Sequence, residues 1–168
     1  MLRRGFLRRP GEASLLALLV LIIGSGVSLA AEPSHFLCLS ETRGTQSLVK
    51  RVPLGPDATF ALSFIHSVSR TPVTDYYRVE QGRILQMREE FMAHGAGLPS
   101  IANDMDATGW RHENGRFILD MHRYTGPIPL RIQAQFENTL HTADTELTLA
   151  TLGISALTLA PCDEETLP

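Results

Sequence analysis

Two blocks of the sequence carry residues able to exchange protons or hold an anion. The first is Phe64-Ile-His-Ser-Val-Ser-Arg-Thr-Pro-Val-Thr-Asp-Tyr-Tyr-Arg-Val79. It alternates like a β-strand, yet it carries His66, Ser67, Thr71 and Tyr77. Phe60, Leu62, Phe64 and His66 recur at every second position, so on a strand they share one face. His66 is therefore expected to point with the apolar side, and Ser67 to the opposite one. Adjacent strand residues cannot form a nucleophile–base pair, so His66-Ser67 is no catalytic dyad in itself. An inward imidazole needs a hydrogen-bond partner, because leaving it unpaired costs about 1–3 kcal/mol. A satisfied core histidine would meet that need as well as a site would.

The second block is Glu89-Glu-Phe-Met-Ala-His-Gly-Ala-Gly-Leu-Pro-Ser100. A strand with paired acids, Glu90 among them, runs into His94 and a loop through Gly95 and Gly97, closed by Pro99. Glycines permit positive φ and close backbone approach, so amide N–H groups could converge there on an anion or carbonyl. The same pattern also makes an ordinary wide turn. His66, Glu90, His94 and His141 could meet at a metal from separate strands, but no H-x-H or H-E-x-x-H spacing supports this. No metal and no cofactor is expected. Asn103-Asp-Met-Asp106 lacks the glycine and terminal Glu of a calcium loop and reads as solvated.

The elements that must position these residues read as β. Apolar and β-branched residues recur with period two in short runs. Strands are expected at 36–40, 47–52, 59–67, 74–80, 83–91, 108–112, 116–121, 129–136, 146–151 and 155–159. Gln81-Gly82 and Asn114-Gly115 read as tight hairpin turns. Gly126-Pro127 and Gly153 mark further turns. The expected fold is all-β, a mainly antiparallel sandwich or partly open barrel, preceded by one N-terminal hydrophobic helix. Trp110 is expected in core or rim packing, and His35, His112 and His122 at the surface.

Residues 1–31 set the compartment. Arg3, Arg4, Arg8 and Arg9 precede an apolar run from Leu15 to Ile23 and a small-residue stretch ending at Ala31. Ser28-Leu29-Ala30 fits a signal-peptide cleavage site. Residues 13–31 are also long enough to stay as a membrane anchor, with the basic head in the cytoplasm. Arg3-Arg4 with Phe6 and Leu7 further resembles a twin-arginine export motif. Each alternative delivers a single β domain, 32–168, to the outside of the cytoplasmic membrane. Cys38 lies in the first apolar segment of that domain and Cys162 just past the last. An oxidising compartment would let them form a disulfide, though both could instead be separate buried thiols.

Charge excludes one class of function. Residues 1–31 hold four of the fifteen Arg and Lys residues and one of the eighteen acids. The remainder holds 11 basic and 17 acidic side chains, a net of −6. A moderately acidic domain lacks the cations that displace phosphate counterions, so no nucleic-acid binding is expected.

Taken together, the His66-Ser67-Val68 run, Thr71-Pro72-Val73 with Tyr76 or Tyr77 downstream, Glu90, and Gly95-Ala-Gly-Leu-Pro99 resemble the bacterial family called domain of unknown function 1850. The motif-bearing part spans about Thr59 to Ser100, with His141 as a late histidine. Ser69-Arg70 stands where an acidic-basic pair is expected. The resemblance implies a small exported or membrane-anchored protein, periplasmic or on the outer face of the cytoplasmic membrane. It also implies an association with tripartite, TAXI-type solute transporters, whose membrane components or solute-binding protein would be the partners. No activity is implied. A non-enzymatic accessory of solute uptake is the first expectation. A small hydrolase or metal-binding protein using His66, Glu90 and the Gly95–Pro99 loop is the second, and a structural envelope domain the third.

Overall fold

Period-two patterning requires two apolar faces to meet, and the chain meets it with two sheets. The computed structural model describes residues 35–93, 98 and 106–163. The expected N-terminal helix, signal and anchor all lie outside these residues. Eleven strands are described: β1 (Phe36–Glu41), β2 (Leu48–Pro53), β3 (Thr59–Ile65), β4 (Pro72–Glu80), β5 (Arg83–Phe91), β6 (Ala107–Glu113), β7 (Arg116–Thr125), β8 (Ile128–Arg131), β9 (Thr139–His141), β10 (Glu146–Thr148) and β11 (Ala156–Cys162). Four of them form a sheet in the order β2-β1-β11-β8, and seven form a sheet in the order β10-β9-β3-β4-β5-β7-β6. Every described pairing is antiparallel.

The core lies between the sheets. Leu37, Leu39, Val52, Leu157 and Leu159 of the small sheet join Phe60, Leu62, Tyr77, Val79, Ile84 and Leu140 of the large one in a single cluster. Alternation along β3 explains its share: Phe60 and Leu62 are buried, while Thr59, Ala61 and Ser63 are half-buried on the other face. Phe60 faces Tyr77 across the β3–β4 pair, and their rings stack 4.9 Å apart. Farther along the large sheet, Phe91, Trp110 and Phe117 make a second, aromatic contact group, with Phe91 and Phe117 centroids 5.4 Å apart.

Both expected glycine hairpins are present. Gln81 and Gly82 turn at φ 50° and 71°, and Asn114 and Gly115 at 51° and 74°. Two consecutive positive φ values match the right-handed twist of the flanking strands. Cys38 and Cys162 are bonded, with Cα atoms 5.8 Å apart. Cys38 pairs with Ala160, so Cys162 is its diagonal neighbour in the β1–β11 pair.

Four elements depart from the sequence expectation. The strand expected at 129–136 stops at Arg131, and Ala134–Phe136 turns as a 3₁₀ helix closed by Glu137 at φ 50°. The one expected at 146–151 becomes β10 and a second 3₁₀ turn, Leu149–Leu152, which drops Leu149 into the core. β9 was not expected, since three residues are too few to show a period. β7 runs on to Thr125 because its far half pairs with Ile84, Leu85 and Gln86 of β5.

Candidate functional site

The strand holding His66 ends one residue before it. β3 stops at Ile65, and residues 66–71 form the turn into β4. The His66 N–H donates to Thr71 O at 2.9 Å, and the Arg70 N–H donates to His66 O at 2.9 Å. Arg70 sits at φ 58° and Val68 is 65% exposed. The expectation of an inward strand histidine is thus corrected. Ser, Arg and Thr satisfy backbone and side chains locally, so the chain turns instead of extending. The imidazole helps to hold that turn. His66 Nδ1 accepts from the Ser69 N–H at 3.2 Å and lies 3.0 Å from Ser69 Oγ, which is 2.8 Å from Thr71 Oγ1. Accepting an amide N–H at Nδ1 places the ring proton of the neutral imidazole on Nε2. Arg70 rests over the Phe136 ring at 6.0 Å, which ties the turn to the first 3₁₀ helix.

Glu90 belongs to a different constellation. Register places Ser63, Thr74, Glu90 and Ile118 in one row across β3, β4, β5 and β7. The neighbouring row runs Glu146, His141, Ala61, Tyr76, Arg88 and Asp120. Both rows lie on the face of the large sheet turned away from the core. Glu90 is 3.7 Å from Arg88 and 3.5 Å from Arg116. Its charge and a hydrogen bond also act on Tyr76, whose hydroxyl pKa is raised first by burial and then by Glu90. Arg88 Nε donates to Asp120 at 2.8 Å, and Arg111 donates to the other Asp120 oxygen. Burial acts to raise the Asp120 pKa, but the two arginines outweigh it and hold the carboxyl below its usual range.

At the opposite end of these rows, His141 Nε2 lies 2.8 Å from Ser63 Oγ. Its Nδ1 lies 3.7 Å from Glu146 Oε2. A cleft of about 400 Å³ starts at His141 and is bounded by Thr59, Ala61, Tyr76, Met87 and Ala143.

The core face carries its own polar group. Asp75 pairs with Leu62 and Glu89 across the sheet, so it points inward. Gln86 Nε2 donates to Asp75 Oδ1 at 3.1 Å. Burial raises the Asp75 pKa from 3.8 to about 6, against the hydrogen bonds of Tyr77 and Gln86 and the charge of Arg123. The Tyr77 hydroxyl is pushed far above its usual range by burial and then by Asp75.

The expected site residues therefore fall into separate places. His66 and Thr71 share the β3–β4 turn, with Ser67 exposed at its tip. Tyr77 lies in the core, on the opposite face of the sheet from Glu90. Glu90 and His141 are on one face, separated by β3 and β4. His94, Gly95, Gly97 and Pro99 lie outside the described residues. Among the described residues no group of three or more His, Cys, Asp or Glu side chains could hold a metal. Sequence reasoning missed Ser63, Glu146 and Asp75. Ser63 and His141 are 78 positions apart, and no local motif could connect them.

No curated protein and no solved structure matches the chain. Residues 60–149 match the family described as domain of unknown function (DUF1850). The match covers both the His66 turn and the His141 strand and more than half of the chain, which therefore belongs to that family.

Proposed function

We propose that the protein is an exported accessory of a tripartite, TAXI-type solute uptake system, working in the periplasm or anchored to the outer face of the cytoplasmic membrane. The observation that supports this reading is the Cys38–Cys162 disulfide, a bond that suits an oxidising compartment. The basic-apolar-small order of residues 1–31 supports export, by cleavage or as an anchor. The transporter link rests on the resemblance of the His66 and Gly95–Pro99 blocks to the family pattern. An accessory role needs binding and no turnover. The ordered His66 turn, with exposed Ser67 and Val68, suits contact with a partner such as the permease or solute-binding protein.

Deleting the gene in its bacterium and following uptake of the solutes of the neighbouring transporter tests this. Uptake should fall and return with the wild-type gene, and a His66→Ala protein that folds and exports normally should restore it poorly. Unchanged uptake in the deletion strain, or a chain recovered from the cytoplasm with both thiols reduced, would overturn the proposal.

A further inference from the structure

His141 stands between two side chains of complementary chemistry. It is on β9, paired with Ala61 of β3 on one side and Glu146 of β10 on the other. Ser63 is the next residue after Ala61 on the same face. The imidazole gives one nitrogen to each neighbour: Nε2 to Ser63 Oγ at 2.8 Å and Nδ1 to Glu146 Oε2 at 3.7 Å. With Nδ1–H turned to the carboxylate, the Nε2 lone pair faces the hydroxyl proton. This is the order of groups that activates a serine: base on the hydroxyl, acid behind the base. The Nδ1–carboxylate separation exceeds a hydrogen bond. Such contacts are often long before substrate binds, and a positive imidazolium would draw the carboxylate in. The pair is open to solvent, with side chains 36% and 77% exposed for His141 and Glu146. Beside it lies the cleft of about 400 Å³ with Ala61, Tyr76 and Met87 along it, large enough for a short acyl chain.

We propose that Ser63 is a nucleophile, with His141 as its base and Glu146 as the positioning residue, and that it hydrolyses esters of small apolar carboxylic acids held in this cleft. Ser63 Oγ attacks the ester carbonyl carbon while its proton passes to His141 Nε2. The bond from that carbon to the alkoxy oxygen breaks as His141 returns the proton to the departing alcohol. Water then repeats the exchange at the acyl-serine, giving the free acid and restoring the hydroxyl. This activity goes beyond the accessory role and does not rest on it.

The test uses the full chain with its disulfide intact. A fluorophosphonate probe should modify the native protein at Ser63, as read by peptide mapping, and not the heat-unfolded chain. With p-nitrophenyl butyrate, hydrolysis should exceed the solvent rate at least tenfold. Both signals should fall at least tenfold in Ser63→Ala and in His141→Gln. Glu146→Gln should keep the labelling site and slow both reactions by a smaller factor, and Glu113→Gln on β6 should change neither. No modification at Ser63 of the native wild-type chain would overturn the proposal without recourse to any variant. Equal labelling in a folded His141→Gln protein would overturn it too. Normal hydrolysis in a protein whose gene is dispensable for uptake would leave this activity standing and remove only the accessory role.

Discussion

Asp75→Asn should stabilise the protein at neutral pH, and the gain should vanish in acid. The carboxyl faces inward from β4, beside Tyr77, Gln86 and Glu89, with the charge of Arg123 acting on it. Its pKa is raised from 3.8 to about 6, chiefly by burial. A raised carboxyl pKa means that the folded state binds the proton more tightly than the unfolded chain. Well below pH 3.8 both states are protonated and the group contributes no penalty. Between 3.8 and about 6 the folded state holds more protons, so stability falls as pH rises. Above that window the penalty is complete. A shift of this size corresponds to at most about 3 kcal/mol, at 1.36 kcal/mol per pKa unit. The carboxyl is only half-buried, so roughly 1–3 kcal/mol is expected. Asparagine keeps one acceptor oxygen, which can serve Gln86, and carries no charge. Urea titrations of the oxidised wild type and Asp75→Asn, at intervals from pH 4 to pH 8, would give both stability curves. The difference should be only about a fifth of its full value at pH 4 and reach its plateau by about pH 7. Parallel curves across that range would falsify the inference that Asp75 titrates in the folded interior. A variant that is less stable at every pH would show that the hydrogen bonds, not the buried charge, dominate at this position.

Two further outcomes follow from the fold. Cys38→Ser should lower stability by about 4–5 kcal/mol at most, the loop-closure estimate for cysteines 124 positions apart, and the reduced wild type should match it in thermal melts. Gly115→Ala should cost about 1 kcal/mol in chemical denaturation, since φ is 74° there while an added Cβ meets nothing within 4 Å; an unchanged midpoint would mean that the hairpin relaxes freely.

The contrast between Gly115 and His66 separates what is local from what is not. Asn114-Gly115 and Gln81-Gly82 were legible because a tight hairpin asks for positive φ at adjacent residues, and few dipeptides supply it. The strands β1, β3 and β5 were legible because alternation is a property of consecutive residues. The disulfide was one of two readings open to Cys38 and Cys162, favoured by chain position because strands at the two ends of a β domain commonly pair. His66 was misplaced by the same alternation rule. Period two continued through Phe64 to His66, but Ser69 and Thr71 offered the imidazole a turn of its own, and side-chain hydrogen bonds to nearby backbone compete with the ladder.

The sequence by itself determined the all-β class, the two glycine hairpins and the acidic balance of residues 32–168. Each of these depends on neighbours in the chain or on composition alone. Only the tertiary structure decided which polar residues meet. Cross-strand register set Glu90 beside Arg88 and Arg116, and set His141 next to Ser63 and Glu146. It also turned Asp75 and Tyr77 toward the core while Glu90 faced away. Register depends on turn lengths and on the bulge between Tyr76 and Tyr77, where one residue of slip would move every side chain to the other face. That information is spread over the whole sheet, and no single segment carries it.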